Sequence, residues 1–532
     1  MLLQVLLLPL MGASLDVLVR ATACSSSCHS LTGLQLSNGT AIVVEAVPLV
    51  AGSNFTGSEV ETSYNTPQID LPSLCRVVLE VQTGGNNTAR AEWNGRYLTV
   101  GNGGFAGSVN YPDIVWGARK GYATMSTNTG HNSTQTDTTW FLNHPERAID
   151  WGHRALHNTT VAAKQVVSAY YHSDASYSYY AGCSTGGRQG LAAAERYPED
   201  FDGVLVGSAC TSQTHVAAWQ TWIYLTQYPS NTSAYIPSSL WPVISAESMK
   251  QCDAVDGVAD GVIMNPHKCD FHPEVLLCGR DGVNASACLN GDQLESLQRM
   301  YRPWVDGRGT LIFPGMTYGA EAGFSILMGG TTPAFGGTFW GDAVYNATFD
   351  WTQFSPGTVA FADMVNPGGA NAYDPDLRPF EDHGGKVIQY HGFADPLIPA
   401  THAEEWYRYV NRFHSDVGRA TAVDDFYRLF MVPGMSHCSG GVGAWVIDAA
   451  SQGGITPLDS STDHSIFKSL VDWVEGGRGP EKIVASHFVN NTRSLGVQFT
   501  RPLCRWPTSA VYSGIGDVND ADNWSCPTDG II

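Results

Sequence analysis

The stretch of this chain best able to do covalent chemistry is Gly182-Cys183-Ser184-Thr185-Gly186, a serine with a glycine two residues to either side. It follows the β-prone, tyrosine-rich run 176–181 and precedes the helix-prone run 191–197, which stops at Pro198. A G-x-S-x-G arises easily by chance in a chain with 57 glycines among 532 residues. Between a strand and a helix it becomes the pattern of a nucleophile elbow. The turn there is so sharp that the backbone passes close to itself, and the glycines remove side chains that would clash. A cysteine directly before the serine is an unusual addition.

A serine hydroxyl is a weak nucleophile and needs a base, itself oriented by a third group. In an α/β-hydrolase the chain order is nucleophile, acid, histidine, each in a loop after a strand. Asp395, in His391-Gly-Phe-Ala-Asp-Pro-Leu-Ile-Pro399, fits the acid; Asp374, Asp376 and Asp382 precede the strand and are less well placed. Among His402, His414, His437, His464 and His487, only His437 sits just past a predicted strand. Cys438 follows it, mirroring Cys183 before Ser184. A catalytic serine and histidine lie within about 3 Å of each other, so these two cysteines are forced close and a Cys183–Cys438 disulfide is expected. Upstream, the strand-like run 96–101 opens into Asn102-Gly103-Gly104-Phe105-Ala106-Gly107. A strand ending in a glycine-rich loop is where such a fold places its second oxyanion donor.

A second constellation lies between residues 252 and 262, where Asp253, Asp256 and Asp260 crowd three carboxylates into eight residues. Such crowding fits either a hard cation, which takes six to eight oxygen ligands, or an acidic turn kept in solvent. The spacing is not that of an EF-hand, because Val255 stands at a ligand position and no glutamate closes the loop.

Strand and helix alternate from about residue 96 to 210 and again from 386 to 474. Strands are expected near 96–101, 121–126, 176–181, 202–207, 386–391 and 426–432, with helices over 153–171, 400–410 and 465–474. This is the pattern of a parallel sheet with helices on both faces. Between 211 and 374 the alternation dissolves into a Gly-, Pro- and Trp-rich stretch. The expected architecture is therefore an α/β-hydrolase core, 24–210 and 375–532, with a large lid insertion, 211–374. Cys28 and Cys75 flank a strand-like run and are expected to staple the N-terminal region, as Cys504 and Cys526 staple the tail.

The apolar run at the N-terminus, ending in small residues, reads as a secretory signal over 1–23, with cleavage after Ala13 or after Ala23. Twelve cysteines fit an oxidising compartment. Sequons at Asn38, Asn54, Asn86, Asn132, Asn158, Asn231, Asn284, Asn346, Asn490 and Asn523 point to a secreted, extracellular glycoprotein. A net charge of −21 with no basic cluster argues against nucleic acid or an acidic membrane surface as partner. No later stretch is apolar enough for a membrane span. The oligomeric state is not readable.

The combination Cys-Ser, Asp and His-Cys resembles the tannase and feruloyl esterase family of secreted fungal serine esterases. The likeness extends to the 101–107 loop, to His391-Gly-x-x-Asp395 and to Trp473-Val-Glu-x-Gly. Length and layout look most like the feruloyl esterase B type. The resemblance implies Ser184, Asp395 and His437 as the triad. It implies the N–H of Thr185 and one from the Gly103–Gly104 turn as the oxyanion hole. It also turns the acidic loop toward structural calcium, held by Asp253, Asp256 and Asp260 with the carbonyls of Val258 and Val262, the loop clamped by Cys252–Cys269 and Cys278–Cys288. Cys24 and Cys210 are left over. No organic cofactor is implied. The implied substrates are aryl esters, on plant cell-wall polysaccharide or as small phenolic esters, hydroxycinnamate ahead of gallate. Phe335, Phe339, Trp340 and Trp351 of the lid are candidates to pack on the phenolic ring. A tannase acting on gallate esters is the nearest alternative. A non-catalytic carbohydrate-binding glycoprotein, or a thiol enzyme using Cys183, stands further off.

Overall fold

The computed structural model describes residues 13–20, 28–36, 41–57, 61, 63–81, 93–328 and 332–527. The ten strands of the main sheet are, in chain order, β1 (Ala13–Arg20), β2 (Gln35–Leu36), β3 (Ala41–Leu49), β4 (Leu74–Val81), β5 (Arg96–Val100), β6 (Ala123–Met125), β7 (Tyr177–Cys183), β8 (Gly203–Gly207), β9 (Lys386–Gly392) and β10 (Tyr427–Val432). Across the sheet the order is β10-β9-β8-β7-β5-β6-β1-β4-β3-β2. From β10 to β6 neighbouring strands run parallel; from β6 through β1 to β2 they run antiparallel.

The parallel half is buried on both faces, which is why its strands read as continuous apolar runs without a polar alternation. Every residue of β8 is buried, and so is all of β9 after Lys386. Helices cover it on both sides, among them Ala155–Tyr171, Thr185–Arg196, Ala400–Asp416 and Ile466–Gly476. This is the α/β-hydrolase arrangement expected from the alternation. The expected strands all appear within two residues of their predicted limits, the 121–126 run shortening to the three residues of β6. The helix expected from 191 begins at Thr185, directly after the serine, and the helix expected over 400–410 continues to Asp416.

Residues 211–374 contribute no strand to this sheet. They form helices, including Gln213–Leu225, Trp241–Cys252 and Gly291–Tyr301, and a short hairpin of Trp304–Val305 with Leu311–Phe313. Trp219, Trp241, Phe313, Phe339 and Trp340 fill a core that also takes in Phe105, Trp140 and Trp151 from the catalytic half. Phe339 and Trp340 are fully buried in it, and Trp351 packs on Tyr224 and Tyr228. Of the lid aromatics expected near a ligand, only Phe335 reaches the catalytic cavity.

Among the described residues five disulfides join Cys28–Cys75, Cys183–Cys438, Cys252–Cys269, Cys278–Cys288 and Cys504–Cys526, the pairings expected. Cys210 is a buried free thiol among the described residues; Cys24 lies outside them, as do Asn38 and Asn86. Within the span expected as a leader, residues 1–12 and 21–23 also lie outside, while Ala13–Arg20 is paired on both edges, to β4 and to β6. Cleavage after Ala13 leaves this strand in the sheet; cleavage after Ala23 removes it and opens two edges. Among the described residues no helix is long and apolar enough to cross a membrane.

Candidate active site

All four loops expected to carry chemistry leave the carboxyl ends of parallel strands, the edge where open α/β sheets place their sites. Gly104 follows β5, Ser184 follows β7, Asp395 follows β9 and His437 follows β10. The β9 and β10 loops are neighbours, which puts acid and histidine side by side.

Ser184 has φ 63° and ψ −124°, a backbone conformation that non-glycine residues adopt only where the surroundings impose it. Its N–H donates to the Gly207 carbonyl at 2.9 Å, tying the elbow to the next strand. The glycines of the motif are required by close approach. A Cβ on Gly182 would stand 2.8 Å from the Gly186 carbonyl carbon, and one on Gly186 would stand 2.9 Å from the Asn102 carbonyl oxygen. The helix starting at Thr185 directs its free N–H groups toward the serine's end of the sheet.

His437 Nδ1 donates to Asp395 Oδ2 at 2.8 Å, which leaves Nε2 as the nitrogen able to accept a proton. Asp395 is fully buried, His437 slightly exposed. The other carboxylate oxygen, Oδ1, accepts the N–H groups of Leu397 at 2.8 Å and Ile398 at 3.0 Å. Burial by itself raises the Asp395 pKa. The two imidazoles beside it, His437 ahead of His391, more than reverse that and hold the carboxyl far below the usual carboxylate range. Ser184 and His437 line the same cavity, and the bridge between their neighbours holds the Cα atoms of Cys183 and Cys438 at 5.9 Å. Ser184 and the His437–Asp395 pair, singled out from sequence, are thus brought to one cavity.

The glycine-rich loop faces this cavity through Gly103 and Gly104. The Gly103 N–H is occupied, donating to the Tyr64 hydroxyl at 2.7 Å. The N–H groups of Gly104 and Thr185 have no acceptor among the described residues. They are the pair available to a developing oxyanion. Gly104 has φ +54°, and a Cβ there would stand 2.5 Å from the Gln135 carbonyl oxygen, so both conformation and space demand glycine.

Two features of this loop were invisible in the sequence. Tyr64 lies 39 residues upstream, and nothing local marked it. Gln189, in the helix behind the serine, clamps Asn102: the Asn102 N–H donates to Gln189 Oε1 at 3.0 Å, and Gln189 Nε2 donates to Asn102 Oδ1 at 3.3 Å. Both residues are buried, and the clamp ties the start of the glycine-rich loop to the helix that begins at Thr185.

The cavity measures about 690 Å³. On the lid side Val216, Phe335, Leu397 and Ile398 give it an apolar wall, with Gln213 and Gln220 on the same helix face as Val216. On the opposite side lie Tyr64, Pro112, Trp116, Arg119 and Lys120. Lys120 is paired with Asp448 at 2.6 Å. Cys210 also lines the cavity. Burial pushes its thiol up to about 12, against a smaller opposite pull from Arg188, and Cys183 is locked in its disulfide. Neither sulfur is a thiolate nucleophile.

The acidic loop fits a cation only in part. Asp256 Oδ2 is buried without a hydrogen-bond partner, and burial, then Asp260 and Asp253, raise the Asp256 pKa. Asp253 Oδ1 instead accepts the N–H groups of residues 260, 261 and 262, and Asp260 pairs with the buried Arg501. Among the described residues no three acidic, histidine or cysteine side chains converge as a metal-holding group.

Comparison with known proteins agrees with this geometry. The family model described as tannase and feruloyl esterase matches residues 86–338 and 343–527. A probable feruloyl esterase B-2 of Aspergillus oryzae is 33% identical over 530 residues, covering 98% of this chain and 99% of its own. The crystal structure of an esterase from Aspergillus oryzae superposes with a TM-score of 0.87 at 32% identity, covering 94% of this chain and all of that one. That of feruloyl esterase B from the same organism gives 0.86 at 27% identity, with the same coverage.

Proposed function

The chain belongs to the tannase and feruloyl esterase family and is a carboxylic ester hydrolase, and from that premise we propose that it is a secreted serine esterase releasing hydroxycinnamic acids from aryl esters of plant cell-wall polysaccharide. The observation carrying this reading is the strained Ser184 sharing one cavity with the His437–Asp395 pair, 2.8 Å apart.

In this mechanism Ser184 Oγ attacks the ester carbonyl while His437 Nε2 takes its proton. Asp395 holds the imidazole with Nδ1 protonated and stabilises the imidazolium that forms. Charge gathers on the former carbonyl oxygen, where the N–H groups of Thr185 and Gly104 receive it; losing one such donor typically costs about 10²–10³ in rate. His437 then passes the proton to the leaving alcohol. Water, activated by the same histidine, cleaves the acyl-enzyme, so no organic cofactor takes part.

The apolar lid-side wall suits an aromatic acyl group, and glutamine amides at positions 213 and 220 suit its phenolic substituents. Parallel rates on methyl ferulate, methyl p-coumarate, methyl caffeate and methyl gallate test the choice. Hydroxycinnamates are expected to be faster; faster turnover of methyl gallate than of methyl p-coumarate makes the enzyme a tannase instead. Calcium at the acidic loop belongs to the same proposal. It is supported by the unpartnered Asp256 oxygen, with Asp253 and Asp260 and the carbonyls of Val258 and Val262 as the remaining ligands, and it requires Asp260 to share its carboxylate with Arg501. Secretion and use of the sequons are likewise proposed, on the disulfides and on the N-terminal sequence.

A further inference from the structure

We propose that His391 is a positioning residue for the triad carboxylate, acting on the same Asp395 oxygen as His437; this rests on reading Asp395 as the catalytic acid. His391 is the penultimate residue of β9 and is fully buried. Its Nε2 lies 2.9 Å from the Ile398 carbonyl oxygen and 3.2 Å from Asp395 Oδ2. Both are acceptors, so the ring proton sits on Nε2 and is shared between them. Asp395 Oδ2 is the oxygen that also accepts from His437. Four N–H groups therefore surround the carboxylate: two from the backbone on Oδ1, His437 Nδ1 on Oδ2, and His391 Nε2 3.2 Å from that same oxygen.

Without His391, only His437 would hold Oδ2, and the group meant to orient the base would depend on that base for its own orientation. The bond to Ile398 adds a second restraint, closing the turn that carries Asp395 onto the strand before it. His391 Nδ1 has no hydrogen-bond partner in the structure. A buried ring nitrogen left unpaired costs stability, so an apolar side chain would serve packing better, and the histidine is retained for what Nε2 does. Apart from Asp395 and His437, the titratable group acting on this region is His402. It is buried, with Nε2 on the Thr211 hydroxyl, and burial first, then His391 and His215, hold its pKa down to about 3. Among the described residues it makes no hydrogen bond to His391 or Asp395.

The test uses purified full-length variants assayed on methyl p-coumarate across pH, with active sites counted by a fluorophosphonate. H391F removes the donor and keeps a ring; H391Q places an amide N–H near the position of Nε2. H391F is expected to lower kcat by roughly 10–10²-fold, the scale of a small misplacement of a catalytic group, with KM little changed. Its acid limb of kcat/KM should move to higher pH, because a carboxylate relieved of one donor pulls harder on the His437 proton. H391Q is expected to recover most of kcat and return the limb toward wild type. Wild-type kcat and limb in H391F overturn the proposal, as does H391Q no better than H391F at matched melting temperature, which leaves packing as the only role. Should H391F not fold, H391M against H391Q carries the same contrast. D395N run in parallel separates the layers: an active D395N removes the triad reading, whereas an inactive D395N beside an unaffected H391F removes only the role of His391.

Discussion

Asp395 and Asp256 are the same residue type in opposite conditions. Asp395 is wholly buried and well supplied: the Leu397 and Ile398 N–H groups bond to one oxygen and His437 to the other, with His391 Nε2 3.2 Å from it. Its carboxyl is held far down the pH scale. Asp256 is only partly buried, yet one of its oxygens has no partner and its neighbours are two further aspartates. Its carboxyl is raised. What separates the two is supply of donors, more than burial. On the proposed mechanism the Ser184 site carries its own hydrogen-bond donors within the folded chain and is ready before substrate arrives, as electrostatic preorganisation requires. In the acidic loop Asp253 and Asp260 have donors of their own and only Asp256 Oδ2 goes without, which is the place the proposed cation would fill.

The comparison is broken most severely at the catalytic end. D395N turns an acceptor oxygen into an N–H facing His437 and favours the wrong tautomer; the expected loss of kcat on methyl p-coumarate is about 10⁴-fold with the fold retained by circular dichroism. D256N, the matching change in the acidic loop, should leave kcat within about twofold if the two sites are as separate as drawn. A D256N protein as crippled as D395N would couple them.

Next in size is loss of the bridge. Changing Cys183 and Cys438 together to Ala frees the His437 loop from the elbow while four other disulfides persist. Since a misplacement of about 1 Å can cost on the order of 10²-fold, kcat should fall by that order in protein shown to be folded; wild-type kcat would make the bridge a staple only. Q189L, which unclamps Asn102, should cost about 10-fold in kcat with KM kept, because it loosens one oxyanion donor and touches no substrate. A change confined to KM would place Gln189 in binding.

The smallest effects are on stability. Calcium added to chelated protein should raise the melting temperature by about 1–2 °C, the shift from roughly 1–2 kcal/mol of linkage in a chain of this size. An unchanged melting temperature with no metal found on analysis removes the ion. The pH signs differ between the two carboxylates. A depressed pKa, as at Asp395, stabilises the fold above the unfolded value near about 4 and is lost as pH falls. A raised one, as at Asp256, weakens the fold once pH rises through it. Without calcium, D256N should therefore be at least as stable as wild type at neutral pH, and it should gain nothing when calcium is added. Thermal melts with and without chelator check both.

What could be read in the sequence was what a short window contains. The elbow was legible because strand, glycines, serine and helix are contiguous. Cys183–Cys438 was legible because each cysteine adjoins a catalytic candidate. The acid and histidine followed from their places after strands. What stayed hidden depends on residues brought together only by the fold. Tyr64 occupying the Gly103 N–H, Gln189 clamping Asn102 and Arg501 reaching Asp260 across 241 positions leave no local pattern. The lid aromatics misled for a related reason: composition cannot tell a ring that lines a cavity from one such as Trp340 that fills a core. The N-terminal apolar run likewise suits a leader and a strand equally, and only pairing with β4 and β6 places Ala13–Arg20 in the sheet.

The most direct measurement is where a covalent probe lands. Purified protein treated with a fluorophosphonate and mapped by peptide mass spectrometry should carry one adduct, on Ser184, formed far more slowly in D395N and in parallel with loss of methyl p-coumarate hydrolysis. An adduct on another residue, or full hydrolytic activity in protein whose Ser184 is modified, would take the reaction away from this site.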